Sequence, residues 1–413
     1  MKRLKNRTYL HFDSPLGKDA LASFSPSSVS VARHNFLPLV GFTKVTRKLD
    51  FTTFPWIVEE KPRDIRFAAH ADSAIYSRYA ETLGEIYEQH LEAFDLSSSV
   101  LAYRSNIGFN VTFAHELFDE IRRRAACRVL CFDISGFFDN LGHTALKARV
   151  MSLLGCDRLP ADWHNFFASV TRYAYVDEKD FTRVLGRPKG GRLCEIITFR
   201  QKVKPLVRVN KAGKGVPQGT PISGLLANIY LLEVDRAVRA AVDAVGGNYR
   251  RYSDDICVVL PTTVDAVKFE TDLTVLMAAV GLELKAPKTS RTQFTEGPHG
   301  VLTWTGDRLQ YLGFEFDGRR AVVRPQTIRN FYAKMKRGIR RTVKDAKTRG
   351  VVDPAQIHMR VLMRNFTHAG RRNFIAYAYK AADIMQSPAI RKQVARHKQI
   401  FDAYFARMVA RNF

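Results

Sequence analysis

Arg251-Tyr252-Ser253-Asp254-Asp255 (RYSDD) lies between Asn248-Tyr249-Arg250 and the apolar run Ile256-Cys257-Val258-Val259-Leu260. Apolar, β-prone residues on both sides of a short polar segment read as strand, tight turn, strand, with two adjacent carboxylates at the tip of the hairpin. Side chains alternate faces along a strand, so one of Asp254 and Asp255 should point into any site there and the other lie beside it or away. Aspartate also favours turns for its own sake, so the pair alone reads first as a solvated turn.

Three further stretches change that balance. Arg128 to Asp139 (RVLCFDISGFFD) places the β-prone Val129, Leu130 and Phe132 before Asp133. A lone Asp at a strand end can simply cap a helix. Beside a second carboxylate source it becomes half of a site for hard divalent cations, which take oxygen ligands. Two such ions, roughly 3.5–4 Å apart, can hold the attacking and leaving oxygens of a phosphoryl transfer. Gly215 to Leu231 (GVPQGTPISGLLANIYL) is a Pro/Gly-rich turn running into an apolar helical pattern. Gly219 permits close backbone approach there, and Thr220 is placed to cap a helix with Pro221 at its first position. Tyr311-Leu312-Gly313-Phe314 reads as a short apolar hairpin piece.

In this order and spacing the stretches resemble the reverse transcriptase family. FDISGFFD resembles its first catalytic motif, VPQGTPISGLLANIYL its template and nucleotide motif, and RYSDD its YxDD box. GLELKAPKTS (Gly281 to Ser290) resembles the lysine motif that follows, and YLGF the primer grip. Upstream, KPRDIRFAAHAD (Lys61 to Asp72) has the spacing of the finger motif of group II intron-type enzymes, and LAYRSNIGFN (Leu101 to Asn110) resembles their next motif. The resemblance spans about Lys61 to Phe316. Arg66 and Ala68 depart from it, standing where the finger motif often has Gly and Pro.

The resemblance implies an RNA-directed DNA polymerase using two Mg²⁺ ions, or Mn²⁺ in their place. Asp133 and Asp254 would ligate both metals, with the Ile134 backbone carbonyl and Asp255 in support. Phe138 would occupy the sugar-discriminating position, where a bulky ring can clash with a 2′-hydroxyl; packing beside Phe137 is compatible with that role. Gln218 and Gly219 would lie against the incoming nucleotide, and Lys61 and Arg63 near its triphosphate. Lys288 would protonate the leaving pyrophosphate, or be a solvated surface lysine. Tyr311, Leu312 and Gly313 would form the primer grip. The implied fold is α+β: a right-hand polymerase whose fingers and palm are an antiparallel sheet backed by helices, with a C-terminal helical thumb. The expected division is an N-terminal extension (1–60), fingers and palm (61–318) and a basic helical thumb (319–413).

Composition agrees with a polyanionic partner. The 413 residues carry a formal charge of +25 at pH 7, and phosphate backbones are the usual counterpart of such an excess. From Arg319 onward only Asp345, Asp353, Asp383 and Asp402 oppose 23 Lys and Arg, a surplus of 19 that is most of the total. The partners expected are an RNA template, the RNA–DNA duplex product and deoxynucleoside triphosphates, with a partner protein or a second copy also open. Five cysteines without paired spacing argue against a disulfide framework or zinc site; Cys127 and Cys131 read as buried thiols beside Asp133. No run of 18 apolar residues and no signal-peptide pattern is present, so no membrane association and a cytoplasmic setting are expected.

The remaining segments are read by periodicity. Ser73 to Phe94, Val111 to Arg124, His143 to Leu154, Ala161 to Tyr175 and Thr263 to Val280 read as helices, and so do Gln326 to Lys347, Ala355 to Phe366, Arg371 to Met385 and Ala389 to Arg411. His143 is given no chemistry. Tyr377, Tyr379, Tyr404 and Phe405 could stack on bases, though at helical spacing they read as core. Arg183, Arg187, Lys189, Arg192, Arg200, Lys202, Lys204, Arg208, Lys211 and Lys214 suit either a basic β-ribbon along the template groove or an exposed loop. Trp56-Ile57-Val58 could open a strand into the fingers, and residues 1–60 could pack on the polymerase lobe or contact RNA.

The subtype is reached by elimination. No endonuclease or zinc motif is seen, the chain ends soon after the thumb, and Phe316 to Thr327 (FDGRRAVVRPQT) replaces the Val-Thr-Gly of retron enzymes. The arrangement most resembles stand-alone bacterial reverse transcriptases associated with phage defence, which work with a dedicated non-coding RNA. Alternatives are a domesticated group II-type enzyme, a template-independent or protein-primed polymerase with the same site, and a catalytically idle RNA-binding scaffold.

Overall fold

The computed structural model describes residues 4–50, 57–186 and 191–413, side chains at 47–50 and 57–59 excepted; Trp56, Arg187 and Lys189, named above, lie outside this set. In chain order the strands are β1 (Leu39–Asp50), β2 (Ile57–Phe67), β3 (Cys127–Asp133), β4 (Ala174–Asp177), β5 (Arg208–Val209) and β6 (Asn248–Tyr252). They continue with β7 (Asp255–Leu260), β8 (Ser290–Glu296), β9 (Leu302–Gly306), β10 (Leu309–Tyr311), β11 (Phe314–Phe316) and β12 (Ala321–Val323).

The central sheet has the order β6-β7-β3-β8-β9, antiparallel throughout. Its period-2 pattern divides two cores. Leu130, Phe132, Ile256, Val258 and Leu260 join one cluster with the helices His70–Ala93, Ser223–Tyr230 and Leu232–Asp243. Cys127, Val129, Cys257 and Val259 face the other, shared with the helix Asn110–Arg124, strands β10 to β12 and the C-terminal helices. A strand buried on both faces is apolar at every position rather than alternating, which accounts for the unbroken run Ile256 to Leu260. The mixed architecture is the expected α+β fold, with an antiparallel sheet backed by helices.

A second sheet, β2-β1-β4-β5, is built on the long β1–β2 hairpin. Ile57 and Val58 open β2 as expected. The segment before β1 packs on this lobe: Tyr9 Oη donates to the Ala68 carbonyl at 2.7 Å, and Asp13 accepts the amides of His70 and Ala71 at 3.0 Å each, capping the helix that begins there. The small third sheet, β10-β11-β12, leads into helices Pro325–Thr348, Arg360–Phe366, Phe374–Ile384, Pro388–Val394 and His397–Asn412. In the first of these Phe331, Met335, Ile339, Val343 and Ala346 are buried, leaving its lysines and arginines on the outer faces. Tyr377, Tyr379, Tyr404 and Phe405 pack against the core rather than standing free.

Four expectations are corrected. No basic β-ribbon spans 183–214 among the described residues. Glu178–Leu185 is a helix, 196–206 forms short helical turns, and the only strand is the two-residue β5. Phe199 and Val203, one helical turn apart, dock with Leu206 onto a small core of Phe12, Val176 and Phe181. That burial favours the helical spacing. Residues 389–411 form two helices, broken near Ala395–Arg396, where the His397 ring Nδ1 meets the Val394 carbonyl at 2.8 Å. The helix expected over Ala161 to Tyr175 ends at Thr171, and β4 follows. Thr220 and Pro221 do not start the next helix, which begins at Ser223. Instead Thr220 Oγ1 and Ser223 Oγ pair at 2.6 Å, and Ser223 Oγ donates to the Pro217 carbonyl at 2.6 Å. Among the described residues no helix is long and apolar enough to cross a membrane.

Candidate active site

The RYSDD hairpin forms with Tyr252 and Asp255 paired across it, and Ser253 adopts φ +63 at the tip. Register then assembles the carboxylates. Asp133 ends β3 directly opposite Asp255 on β7. Directly opposed residues share a face, so these two lie side by side, with Cys131 and Cys257 paired two residues below. Asp254 sits in the turn, and its carbonyl accepts the Ile134 amide at 3.1 Å. All three cysteines of these strands are free thiols; Cys127 is buried as expected, Cys131 only partly so, and Cys257 is buried as well.

The charge distribution is uneven. Lys285 Nζ donates to Asp133 at 3.1 Å, and Lys288 Nζ donates to its other oxygen. Burial disfavours ionisation of Asp133, but these two lysines outweigh it and hold its pKa below the usual carboxylate range. Asp255 moves the other way, pushed up to about 6 by burial and then by Asp254 and Asp133. Its side chain is exposed to solvent, which screens part of this effect. Lys61 is depressed by burial and by the positive charges of Lys288, Arg63 and Lys285. Four cations therefore converge beside three carboxylates. Sequence reasoning assigned no role to Lys285, although it stands in the same motif three residues before Lys288.

Of these groups, Asp254, Lys61, Arg63 and Lys285 line a cleft of about 470 Å³, together with Phe138 and Gln218, among others. Phe138 is half-buried on a turn that follows β3, and its ring packs beside Phe137 at 5.5 Å between centroids. Opposite, the Gln218 carbonyl accepts the Arg66 amide at 2.8 Å, joining the nucleotide-motif loop to the edge of β2. Gly219 has φ +125, and a Cβ there would come within 2.6 Å of the Arg66 carbonyl. Close backbone approach does require glycine at this position. Arg66 itself, a departure from the family pattern, lies 3.7 Å from the centroid of the Tyr175 ring and pairs with Asp64 and Asp177, tying β2 to β4. His143 supports the scaffold, its Nε2 2.8 Å from the Gly215 carbonyl.

Tyr311 is buried, its phenol raised well above its ordinary range by burial and by the nearby Cys257. Leu312 and Gly313 make the half-buried turn of the β10–β11 hairpin at φ +45 and +93. Of the three residues expected to form the grip, only those of this turn are partly exposed.

Besides Lys285, two residues escaped sequence reasoning. Arg251 is fully buried, with Nε donating to Asp235 Oδ1 at 2.7 Å and Nη2 to Oδ2 at 2.5 Å. Its Nη1 also donates to Asn228 at 3.0 Å and to the Ser253 carbonyl at 3.2 Å, so the guanidinium holds the RYSDD turn from beneath. The other is Tyr103, at the cleft rim. Neither carries a signal of its own: an arginine beside an acidic pair reads as surface charge until its partner 16 residues away is known.

Among the described residues no three acidic, histidine or cysteine side chains are gathered into a closed cage for a metal ion. The donors present are hard carboxylate oxygens at a strand end and a turn. They fit Mg²⁺, which takes one or two carboxylates and completes its shell with water and substrate phosphates. Asp254 and Asp133 add to the effect of burial in raising the pKa of Asp255, and a divalent cation would offset that part which is like charge. A larger concavity of about 900 Å³, between β9, the β11–β12 turn and residues 385–392, has Asp317 as its one acidic side chain and offers no comparable chemistry.

Residues 75–316 match the family model described as reverse transcriptase (RNA-dependent DNA polymerase). No curated protein sequence matches the chain. Among solved structures, it is similar to apo telomerase from Candida tropicalis truncated from its C-terminal domain, at 13% identity and TM-score 0.44, covering 72% of this chain and 58% of that one. It is also similar to telomerase from Candida albicans in complex with a fragment of telomeric RNA, at 11% identity and TM-score 0.42, covering 92% and 64%. A third is the Sicinivirus 3Dpol RNA-dependent RNA polymerase, at 12% identity and TM-score 0.41, covering 93% and 70%. The chain covers less than two thirds of the length of each telomerase.

Proposed function

Because the chain belongs to the reverse transcriptase (RNA-dependent DNA polymerase) family, we propose that the cleft bounded by Asp133, Asp254 and Asp255 extends a DNA strand on an RNA template. One observation carries the reading: the register that sets Asp133 opposite Asp255, with Asp254 at the adjoining turn lining a cleft together with Phe138, Lys61, Arg63 and Lys285, while Lys288 pairs with Asp133. Asp133 and Asp254, supported by Asp255 and the Ile134 carbonyl, would hold two Mg²⁺ ions or Mn²⁺. When bound, the ions supply charge neutralisation at the reacting phosphate and activation of the attacking hydroxyl.

The chain's own residues do the rest. Lys61, Arg63 and Lys285 bind the triphosphate, and Lys288, released from Asp133 as phosphate enters, supplies a proton to the leaving pyrophosphate. Gln218 and Gly219 line the nucleotide, held against β2 by the Arg66 amide. The Leu312–Gly313 turn seats the primer end. The outer faces of the helix Pro325–Thr348 lie along the duplex backbone, where lysine and arginine position without reading sequence. We assign residues 1–60 as an extension, 61–318 as fingers and palm, and 319–413 as the thumb. We further propose that the template is a dedicated non-coding RNA and the setting bacterial antiviral defence in the cytoplasm. The +25 charge and its concentration after Arg319 support a resident RNA.

The test is incorporation of labelled deoxynucleotides by the protein purified with its own RNA in Mg²⁺. Incorporation that RNase pretreatment abolishes, with product complementary to the bound RNA, is expected. Product unaffected by RNase would point to untemplated addition. No product even on a supplied primed RNA would favour a scaffold.

Phe138→Ala is expected to raise ribonucleotide use relative to deoxynucleotide use by at least about tenfold, the effect of ~1.4 kcal/mol at the transition state. Single-nucleotide addition with matched dNTP and rNTP measures it, and unchanged selectivity would place the sugar gate elsewhere.

A further inference from the structure

We propose that Tyr103 is a specificity-determining residue of this cleft, its ring bracing Phe138 while its hydroxyl ties that brace to the Ser253 turn. The inference rests on the reading of Phe138 as the sugar gate. It adds that the gate is stiff only because a second aromatic backs it, and that the same aromatic links the gate to the carboxylates.

Tyr103 is conspicuous on its own terms. It is 52% exposed, lines the cleft and has φ +59. A non-glycine residue in the left-handed region is disfavoured by roughly 1–2 kcal/mol, and such strain persists only where surrounding contacts over-determine it. Those contacts are present on both sides. Before it, the Leu101 amide donates to the Arg251 carbonyl at 2.9 Å, and the Ala102 carbonyl accepts from Asn228 Nδ2 at 2.8 Å. After it, the Arg104 guanidinium donates to the Val100 carbonyl at 2.8 Å and to Glu88. The backbone is thus laced to the same Asn228–Arg251 network that supports the RYSDD hairpin.

The ring position is equally constrained. A Cβ on Gly224 would come within 2.5 Å of two atoms of the Tyr103 ring, so the first turn of helix Ser223–Tyr230 leaves room there for hydrogen alone. From that seat the ring meets Phe138 edge-on, at 6.1 Å between centroids and 80° between planes. Its hydroxyl lies 3.1 Å from Ser253 Oγ, immediately before Asp254. Ser253 is itself at positive φ. Two strained non-glycine residues therefore meet through their side chains at the mouth of the cleft, one touching the gate and the other adjoining a proposed metal ligand. A half-buried Phe138 could otherwise swing aside for a 2′-hydroxyl; the Tyr103 edge stands in the way.

The experiment compares kcat/KM for matched dNTP and rNTP in single-nucleotide addition, using the full-length protein with its bound RNA. Tyr103→Leu is expected to narrow the preference for the deoxy sugar by about tenfold. Tyr103→Phe keeps the ring and is expected to keep the preference, while slowing addition with both sugars alike through loss of the Ser253 contact. Gly224→Ala leaves Tyr103 in place but displaces its ring, and is expected to narrow the preference as Tyr103→Leu does. Phe138→Ala separates the two readings. If it relaxes selectivity while Tyr103→Leu and Gly224→Ala do not, the gate stands and this inference is overturned. If Phe138→Ala itself changes nothing, the underlying assignment fails. Equal loss with both sugars in Tyr103→Leu and Gly224→Ala would also overturn the inference, marking Tyr103 as structural only.

Discussion

Asp254→Asn is expected to abolish DNA synthesis while leaving the folded chain intact. The substitution keeps the shape of the turn and removes one carboxylate charge from the site. Metal-borne charge stabilisation is worth several kcal/mol, and each ~1.4 kcal/mol is a tenfold change in rate, so a loss of at least about a thousandfold is expected. Stability should not fall. Asp254 is one of the charges that raise the pKa of Asp255, and its removal relieves a like-charge contact. Incorporation assays and urea unfolding on the same preparation check both halves. Synthesis at a wild-type rate would remove Asp254 from the metal assignment, and a marked drop in stability would show that the carboxylate serves the fold.

The second large effect is expected beneath the turn. Arg251→Met leaves Asp235 buried and unpaired, and breaking a buried ion pair from one side costs about 3–5 kcal/mol. The midpoint of denaturant unfolding should fall accordingly. Arg251→Met combined with Asp235→Leu removes both charges and should recover much of that stability, because well-packed apolar pairs often replace buried ion pairs without penalty. Synthesis should not return with it. The double variant still lacks the guanidinium donor to the Ser253 carbonyl and leaves the Tyr249 hydroxyl, now 2.5 Å from Asp235, without its acceptor. Full activity in the double variant would show that the network holds the fold and does nothing specific for the turn. An unchanged unfolding midpoint in Arg251→Met would contradict the burial argument itself.

What could be read in the chain depended on how local its cause was. The RYSDD hairpin was legible because its strands and turn are encoded within thirteen residues; its register with β3 was not, because it pairs strands far apart in the chain. Phe138 and Gln218 were legible by their place in motifs, and the structure brings both to one cleft, with Gly219 packed beside them on the Arg66 backbone. The segment 183–214 was not legible. Its helical turns depend on a small core that includes Phe12 and Val40, from a distant part of the chain, packed with Phe199 and Val203. Tyr103 was hidden for the same reason: its strained backbone and its partners arise from Gly224, Asn228 and Ser253, none of them near in sequence. Lys285 had a signal, its spacing to Lys288, but only the position of Asp133 gives that spacing meaning.

The alternation of β7 between two cores has a consequence for quality control of the molecule. A slip of one residue in strand pairing exchanges the two faces of the strand. In β7 such a slip would drive Cys257 and Val259 into the cluster meant for Ile256 and Val258, and it would turn Asp255 away from Asp133. Errors of register and loss of chemistry are therefore the same event. A molecule that incorporates nucleotide has, by that fact, passed a proofreading of its own assembly, and an active-site titration of a preparation counts correctly folded chains.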